Sequence, residues 1–229
     1  MTSQRGLDAV SLLARLAHRL VLRLPIGGVS VSVINTSGHD GTIYATDSIA
    51  ARLDELHFEL GEGPSFTVWE EGTPELLADL GEAGTDATRW PVFVGEALAT
   101  GNRGLWVFPL QLGAARVGIL TLHSLEPVHL GPRDIGHALR ASDGAALAIL
   151  GCFGGDGATG DSLSDHDGPD EFYRAEVYQA SGIVMAQLGT DIGGAFARMR
   201  AHAYGNGLRI SDVAADIVGH RLRLTDTFE

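Results

Sequence analysis

The sequence predicts two folded parts: an α+β domain whose mainly antiparallel sheet is flanked by helices, then an all-α domain of three short helices. Three observations carry this. Strand-like alternation in hairpin spacing is interleaved with helical periodicity through residues 1–150, and a stretch at 151–170 offers almost nothing to bury. Residues 171–229 show helical stripes cut by two sharp turns.

From the N-terminus, Leu7 to Leu24 places Leu13, Leu16, Leu20 and Leu24 on one side of a helix that Pro25 and Gly27-Gly28 stop. Val29-Ser30-Val31-Ser32-Val33 alternates strictly, the pattern of a half-buried strand. Thr42 to Thr46 is its partner across a Ser-Gly-His-Asp-Gly turn. Pro74–Leu80, Gly104–Leu110 and Arg116–His123 are further strands, the last two separated by a Gly-Ala-Ala turn. Helices are expected near Ser48–Leu56, Ser65–Glu70, Val92–Ala99 and Arg133–Leu150. Gly61-Glu62-Gly63-Pro64 lacks the lysine and further glycine of a phosphate loop. It reads instead as a tight turn with Pro64 at a helix start.

Residues 151–170 are dominated by Gly, Asp and Ser and are expected to be a flexible tether. Beyond it, Tyr173, Val177, Ala180, Val184 and Leu188 recur at steps of three and four on one helical face. Gly189 breaks the pattern, and Thr190 or Asp191 can cap the next helix. Ile192, Ala195, Phe196, Met199 and Ala203 form a second stripe, which ends at Gly205-Asn206-Gly207. Ser211 is read as the N-cap of a third helix that buries Val213, Ala214, Ile217 and Val218. Helices this short are stable only by packing on one another.

The 229 residues hold sixteen arginines, no lysine and 29 acids, a net charge of −13. Residues 1–150 carry ten arginines against seventeen acids, 151–170 none against five, and 171–229 six against seven. The acidic larger part argues against nonspecific nucleic-acid binding. The near-neutral last segment leaves room for a modest positive face. The single Cys152 excludes an internal disulfide and a cysteine-based zinc site. His123, His129 and His137 lack metal-site spacing. No apolar run has bilayer length, and the N-terminus lacks a signal-peptide plan, so a cytoplasmic protein without a membrane partner is expected. Neither a Gly-x-Ser-x-Gly elbow nor a zinc-protease histidine pair is present. Catalysis is therefore not expected, and the residues specify no cofactor.

Gln179-Ala180-Ser181-Gly182-Ile183-Val184-Met185, Ala195 to Ala203, and Ser211-Asp212-Val213-Ala214 together resemble the ANTAR domain over about residues 171–224. The resemblance implies an RNA-binding three-helix module of transcription antiterminators. Such a module occupies paired hairpins in a nascent leader transcript, so that the terminator does not form. RNA-contact candidates are Arg174, Ser181, Arg198, Arg200, His202 and Arg209. Arg198 and His202 share one helical face, and Arg200 projects to the other side. Many members carry a lysine where this chain has Ser181, which removes a cation from the expected RNA face. Each arginine also reads as an ordinary solvated helix position.

In the larger part, Glu59-Leu60-Gly61-Glu62-Gly63-Pro64-Ser65, Ala78-Asp79-Leu80, Thr88-Arg89-Trp90-Pro91, Phe108-Pro109-Leu110 and Val117-Gly118-Ile119-Leu120 follow in order. They resemble the GAF domain that accompanies ANTAR modules in actinobacterial regulators, over about residues 7–150. That resemblance implies a six-stranded antiparallel sheet, helices on both faces and a pocket for a small ligand. His57, Trp69, Trp90 and Trp106 are candidates for such a pocket; the tryptophans read equally as core residues and His57 as a partly exposed side chain. Some GAF-fold proteins reduce methionine sulfoxide with several cysteines, against which a single Cys152 argues.

The resemblances together imply a dimeric GAF–ANTAR regulator that binds leader-RNA hairpins and promotes antitermination, its GAF domain sensing a small ligand or a partner. The alternative is a sensory or scaffold protein whose ANTAR module makes protein contacts without RNA.

Overall fold

A computed structural model describes residues 2–35, 38–82, 88–153 and 169–225. The chain divides into two compact units, Met1–Ser162 and Leu163–Glu229. The expected tether falls mostly outside the described residues. Its two edges are helical, because helices run to Phe153 on one side and begin at Pro169 on the other.

In the first unit the elements run α1 (Thr2–Arg23), β1 (Gly28–Asn35), β2 (Gly38–Ala45), α2 (Ser48–Leu60), α3 (Pro64–Glu71) and β3 (Glu75–Leu77). They continue with α4 (Pro91–Ala99), β4 (Gly104–Leu112), β5 (Ala115–Ser124) and α5 (Pro132–Phe153). The strands form one antiparallel sheet in the order β2-β1-β5-β4-β3. The described residues thus give five strands, not the six that the resemblance implies. Pro74–Leu80 shrinks to the three residues of β3.

Strand parity sorts the side chains onto two faces. Ile119, Leu105, Val107 and Leu77 pack with Leu53 and Leu56 of α2, Val68 of α3 and Phe93, Val94 and Ala97 of α4. The alternate residues Val29, Val31, Leu120, Leu122, Trp106 and Phe108 share the opposite face, where α1 and α5 pack. Both faces of β1 are therefore covered: Val29 and Val31 are buried, and so are Ser30 and Ser32. The expected half-buried strand is wrong. Alternation shows which residues share a face, but not whether the polar face meets water.

The islands that carry the resemblance acquire physical roles. Glu62 reaches across thirty residues of chain, and its Oε1 accepts the N–H groups of Val92 and Phe93, both at 2.8 Å, capping α4 where Trp90 supplies no side-chain bond. Gly63 has φ 124°, and a Cβ there would meet the His57 ring at 2.6 Å, so only glycine lets the chain pass before Pro64 starts α3. Asp79 accepts the Nε and Nη2 donors of Arg103 at 2.8–2.9 Å and the Gly81 N–H at 2.8 Å.

Asp47 caps α2, accepting the N–H groups of Ile49 and Ala50 at 2.9 Å. It also accepts the Thr46 hydroxyl at 2.8 Å and lies 3.1 Å from His123 Nε2. Burial pushes its carboxyl up, but the bonds from Ala50, Thr46 and His123 outweigh that and leave it below the ordinary 3.8. A depressed folded-state pKa means stability that is present above the unfolded value and lost as pH falls through the folded one. Asp47→Ala is therefore expected to cost about 1 kcal/mol near neutral pH. In a series of thermal melts, the gap to wild type should close as the pH drops below about 4.

The second unit holds α6 (Pro169–Leu188), α7 (Ile192–Gly205) and α8 (Ile210–Val218), each in contact with the other two. Val177, Ala180, Val184, Ala195, Phe196, Met199, Ala203, Ile210, Val213, Ala214 and Ile217 form its interior. Asp191 is the cap of α7, its Oδ1 accepting the Gly194 N–H at 2.8 Å. The third helix begins two residues earlier than expected. Arg209, not Ser211, is its N-cap, and Asp212 bonds back to the Arg209 N–H at 3.3 Å.

Candidate functional site

Two regions carry the residues that sequence reasoning selected, one in each unit. In the first, α2 lies over β1, β2 and β5, and α3 lies over β3, β4 and β5. His57 is fully buried on α2, its Nδ1 2.8 Å from the Leu53 carbonyl and its ring 4.3 Å from that of Phe93. The partly exposed alternative for His57 is thereby overturned. Trp90 is buried in the cluster beneath these helices, with the Arg89 guanidinium 4.1 Å above its ring, and Trp69 packs against the same cluster half-buried. Trp106 is different. It pairs with Leu122 on the face turned toward α1 and α5, so it cannot line a pocket with the other two.

Sequence reasoning passed over the polar groups of this region. Ser30 and Thr121 face each other across β1 and β5, Ser32 lies two residues along the same face, and Ser65 sits on α3. All four are buried, and each hydroxyl lacks a hydrogen-bond partner among the described residues. Asp54, fully buried on α2, accepts the hydroxyl of Thr42. The signal was available: a strand in a sheet expected to carry helices on both faces must bury its serines as well as its valines.

In the second unit the six candidates fall into different environments. The side chain of Arg174 lies outside the described residues. Ser181 is only 1% exposed and donates its hydroxyl to the Tyr178 carbonyl at 2.7 Å. This corrects its place on the RNA face: it belongs to the buried stripe of Val177, Ala180 and Val184, and its side chain is an internal one. Arg200 is half-buried, its guanidinium 5.1 Å above the Phe196 ring, which in turn meets Tyr178 edge-on at 5.4 Å. Burial pulls the guanidinium pKa down to about 10, with Tyr178 working the other way; the group stays cationic at neutral pH. Arg198 and His202, one turn apart, are half-buried. Arg209 is exposed but lies 3.5 Å from Asp212, and Arg221 is held by Asp216 at 2.7 Å. These two exposed arginines thus each have an acid within one or two turns, whereas Arg223 is exposed as well.

Comparison with known proteins decides the architecture. The ANTAR domain family model matches residues 173–218. The first unit is similar to the GAF domain region of a Geobacter sulfurreducens PCA protein, with a TM-score of 0.54 and 14% identity, covering 64% of this chain and 96% of that one. It is similar also to a GAF domain/HD domain protein from Geobacter sulfurreducens, with a TM-score of 0.52 and 10% identity, covering 66% and 97%. The chain joins a GAF fold to an ANTAR domain. No curated protein sequence matches it.

ANTAR is an RNA-binding antitermination-regulator family. Among the described residues no helix of this GAF–ANTAR chain is long and apolar enough to cross a membrane. Among those same residues, no three His, Cys, Asp or Glu side chains gather as metal ligands.

Proposed function

We propose that this GAF–ANTAR protein is a cytoplasmic, dimeric, signal-responsive regulator that binds paired hairpins in nascent leader RNA and promotes antitermination. The ANTAR match over residues 173–218 is the observation that carries this reading. Arg198 and His202 on one side of α7 and the exposed Arg209 at the start of α8 supply cations from two helices. Phosphate contacts from such groups position the module, and unpaired loop bases supply sequence. The GAF domain biases the active state through a small ligand or a partner, by as much as that molecule's affinities for the two states differ. Dimerisation uses α1 and α5, which leave Leu22, Leu139 and Leu147 exposed.

One observation favours the second reading, protein contact without RNA. Arg209 and Arg221 have acidic neighbours and Arg200 is half-buried, which reduces the positive charge that these three arginines present to a phosphate. A titration of the full chain with a tandem-hairpin RNA at two salt concentrations separates the two. Salt-sensitive binding that depends on the loops and exceeds binding to duplex DNA is expected; no RNA binding by the full chain would sink the first reading. In the same assay Arg198→Ala should weaken binding across all sequences and lower the log–log salt slope by about 1.

A further inference from the structure

The hydroxyls of Ser30, Ser32, Thr121 and Ser65 make no hydrogen bond among the described residues. A buried hydroxyl with no partner destabilises a protein, and native structures hold few of them. Here four lie on or against one sheet face, under α2 and α3, and none finds an acceptor or donor among the described residues. Alanine or valine at these positions would fill a strand interior at lower cost. The sequence instead alternates Val and Ser so that one face of β1 is apolar against α1 and the other is polar against α2.

From this we infer that the polar face of β1 and β5 is a preorganised site for an uncharged, hydrogen-bonding small molecule about the size of a sugar ring or nucleobase. The inference rests on the ligand-sensing reading of the GAF domain and specifies its chemistry. Size follows from geometry: directly opposed residues have Cβ atoms about 5 Å apart, and two residues along a strand advance about 7 Å. Charge follows from the neighbours. Hydroxyls both donate and accept, which suits a neutral polar partner.

The basic side chains around the region are committed elsewhere. Arg52 binds Glu55 and Glu59, Arg103 binds Asp79, Arg89 binds Glu75, and Arg116 binds the carbonyls of Trp69 and Glu70 at the end of α3. The ionisable groups buried with the hydroxyls are Asp54, His57 and His123, and His123 already faces the Asp47 carboxylate at 3.1 Å. A phosphate or carboxylate brought here would meet a carboxyl group and no guanidinium, and an uncompensated buried anion is strongly disfavoured.

Thermal melts of the full chain test this, with wild type, Ser30→Ala/Ser32→Ala and the near-isosteric Thr121→Val. Without additives both variants are expected to melt higher than wild type, the double variant by about 4 °C or more. Glucose and adenine are the uncharged probes, and glucose 6-phosphate and AMP are their anionic counterparts. An uncharged probe should raise the wild-type melting temperature in proportion to the logarithm of its concentration, and should do so less in the variants. Variants that melt at or below wild type would show that the hydroxyls serve the fold, and would overturn the proposal. A phosphorylated probe that stabilises wild type better than its parent would overturn the chemical class while leaving ligand sensing intact. No response to any of the four probes, even where the variants are stabilised, would overturn the proposed site, while the hairpin titration tests the RNA-binding reading separately.

Discussion

Phe196→Ala is expected to unfold the ANTAR unit and leave the GAF unit standing. Phe196 is 4% exposed, meets Tyr178 edge-on and carries the Arg200 guanidinium above its ring. Truncating a buried phenylalanine costs about 3–5 kcal/mol. A three-helix unit of this size has a total stability of only about 3–8 kcal/mol, at roughly 0.05–0.15 kcal/mol per residue. Calorimetry should therefore show the ANTAR transition lost or far below that of wild type, with the GAF transition unmoved. RNA binding should fall with it. Arg200→Met separates packing from charge: it keeps an unbranched side chain over the ring, so most of the stability should remain while the cation is gone.

Gly118→Ala is expected to be the most damaging single-methyl change in the GAF unit. Gly118 lies opposite Val33 where β5 passes β1, and a Cβ there would run into the backbone carbonyl of Ser32. The obstacle is main chain in the middle of the sheet, so relief requires the two strands to separate. Overpacking of this kind costs about 1–3 kcal/mol and occasionally more, and denaturant melts should show the loss in the GAF transition alone. The effect should extend to the hydroxyl face, because Ser30, Ser32 and Thr121 lie on the same pair of strands. Together the two substitutions address each unit independently.

Much of this architecture was legible because short-range chemistry punctuates it. Pro64, Asp191 and Gly207 start or stop helices where backbone rules say they should. The stripes of α6 and α7 bury Val177, Ala180, Val184, Ala195, Phe196, Met199 and Ala203 as their periodicity selects, while Leu188 and Ile192 are only half-buried. Ser181 was legible too, and was misread. It stands four residues after Val177 and three before Val184, inside the stripe already identified, so helical phase alone puts it in the interior. Arg200 follows Phe196 by one turn, and the same phase predicts their contact. The N-cap at Arg209 was hidden for a different reason: its own side chain is no usual cap, and the bond comes back from Asp212.

What local pattern could not supply was the partner of each face. Trp106 and the serines of β1 needed the strand register and the helix that covers each side. Those depend on contacts made across most of the first unit. The buried hydroxyls therefore emerged only from the assembled sheet, and they are the feature of the GAF unit that points most directly to a ligand.

The account stands or falls on transcription through a terminator. The direct measurement is single-round transcription in vitro on a template with paired hairpins and an intrinsic terminator, taken from upstream of a neighbouring gene. Full-length protein should raise read-through in a dose-dependent way, and Phe196→Ala should not. Read-through that stays at its basal level, with wild-type protein saturating the hairpins, would contradict antitermination as the function of this chain.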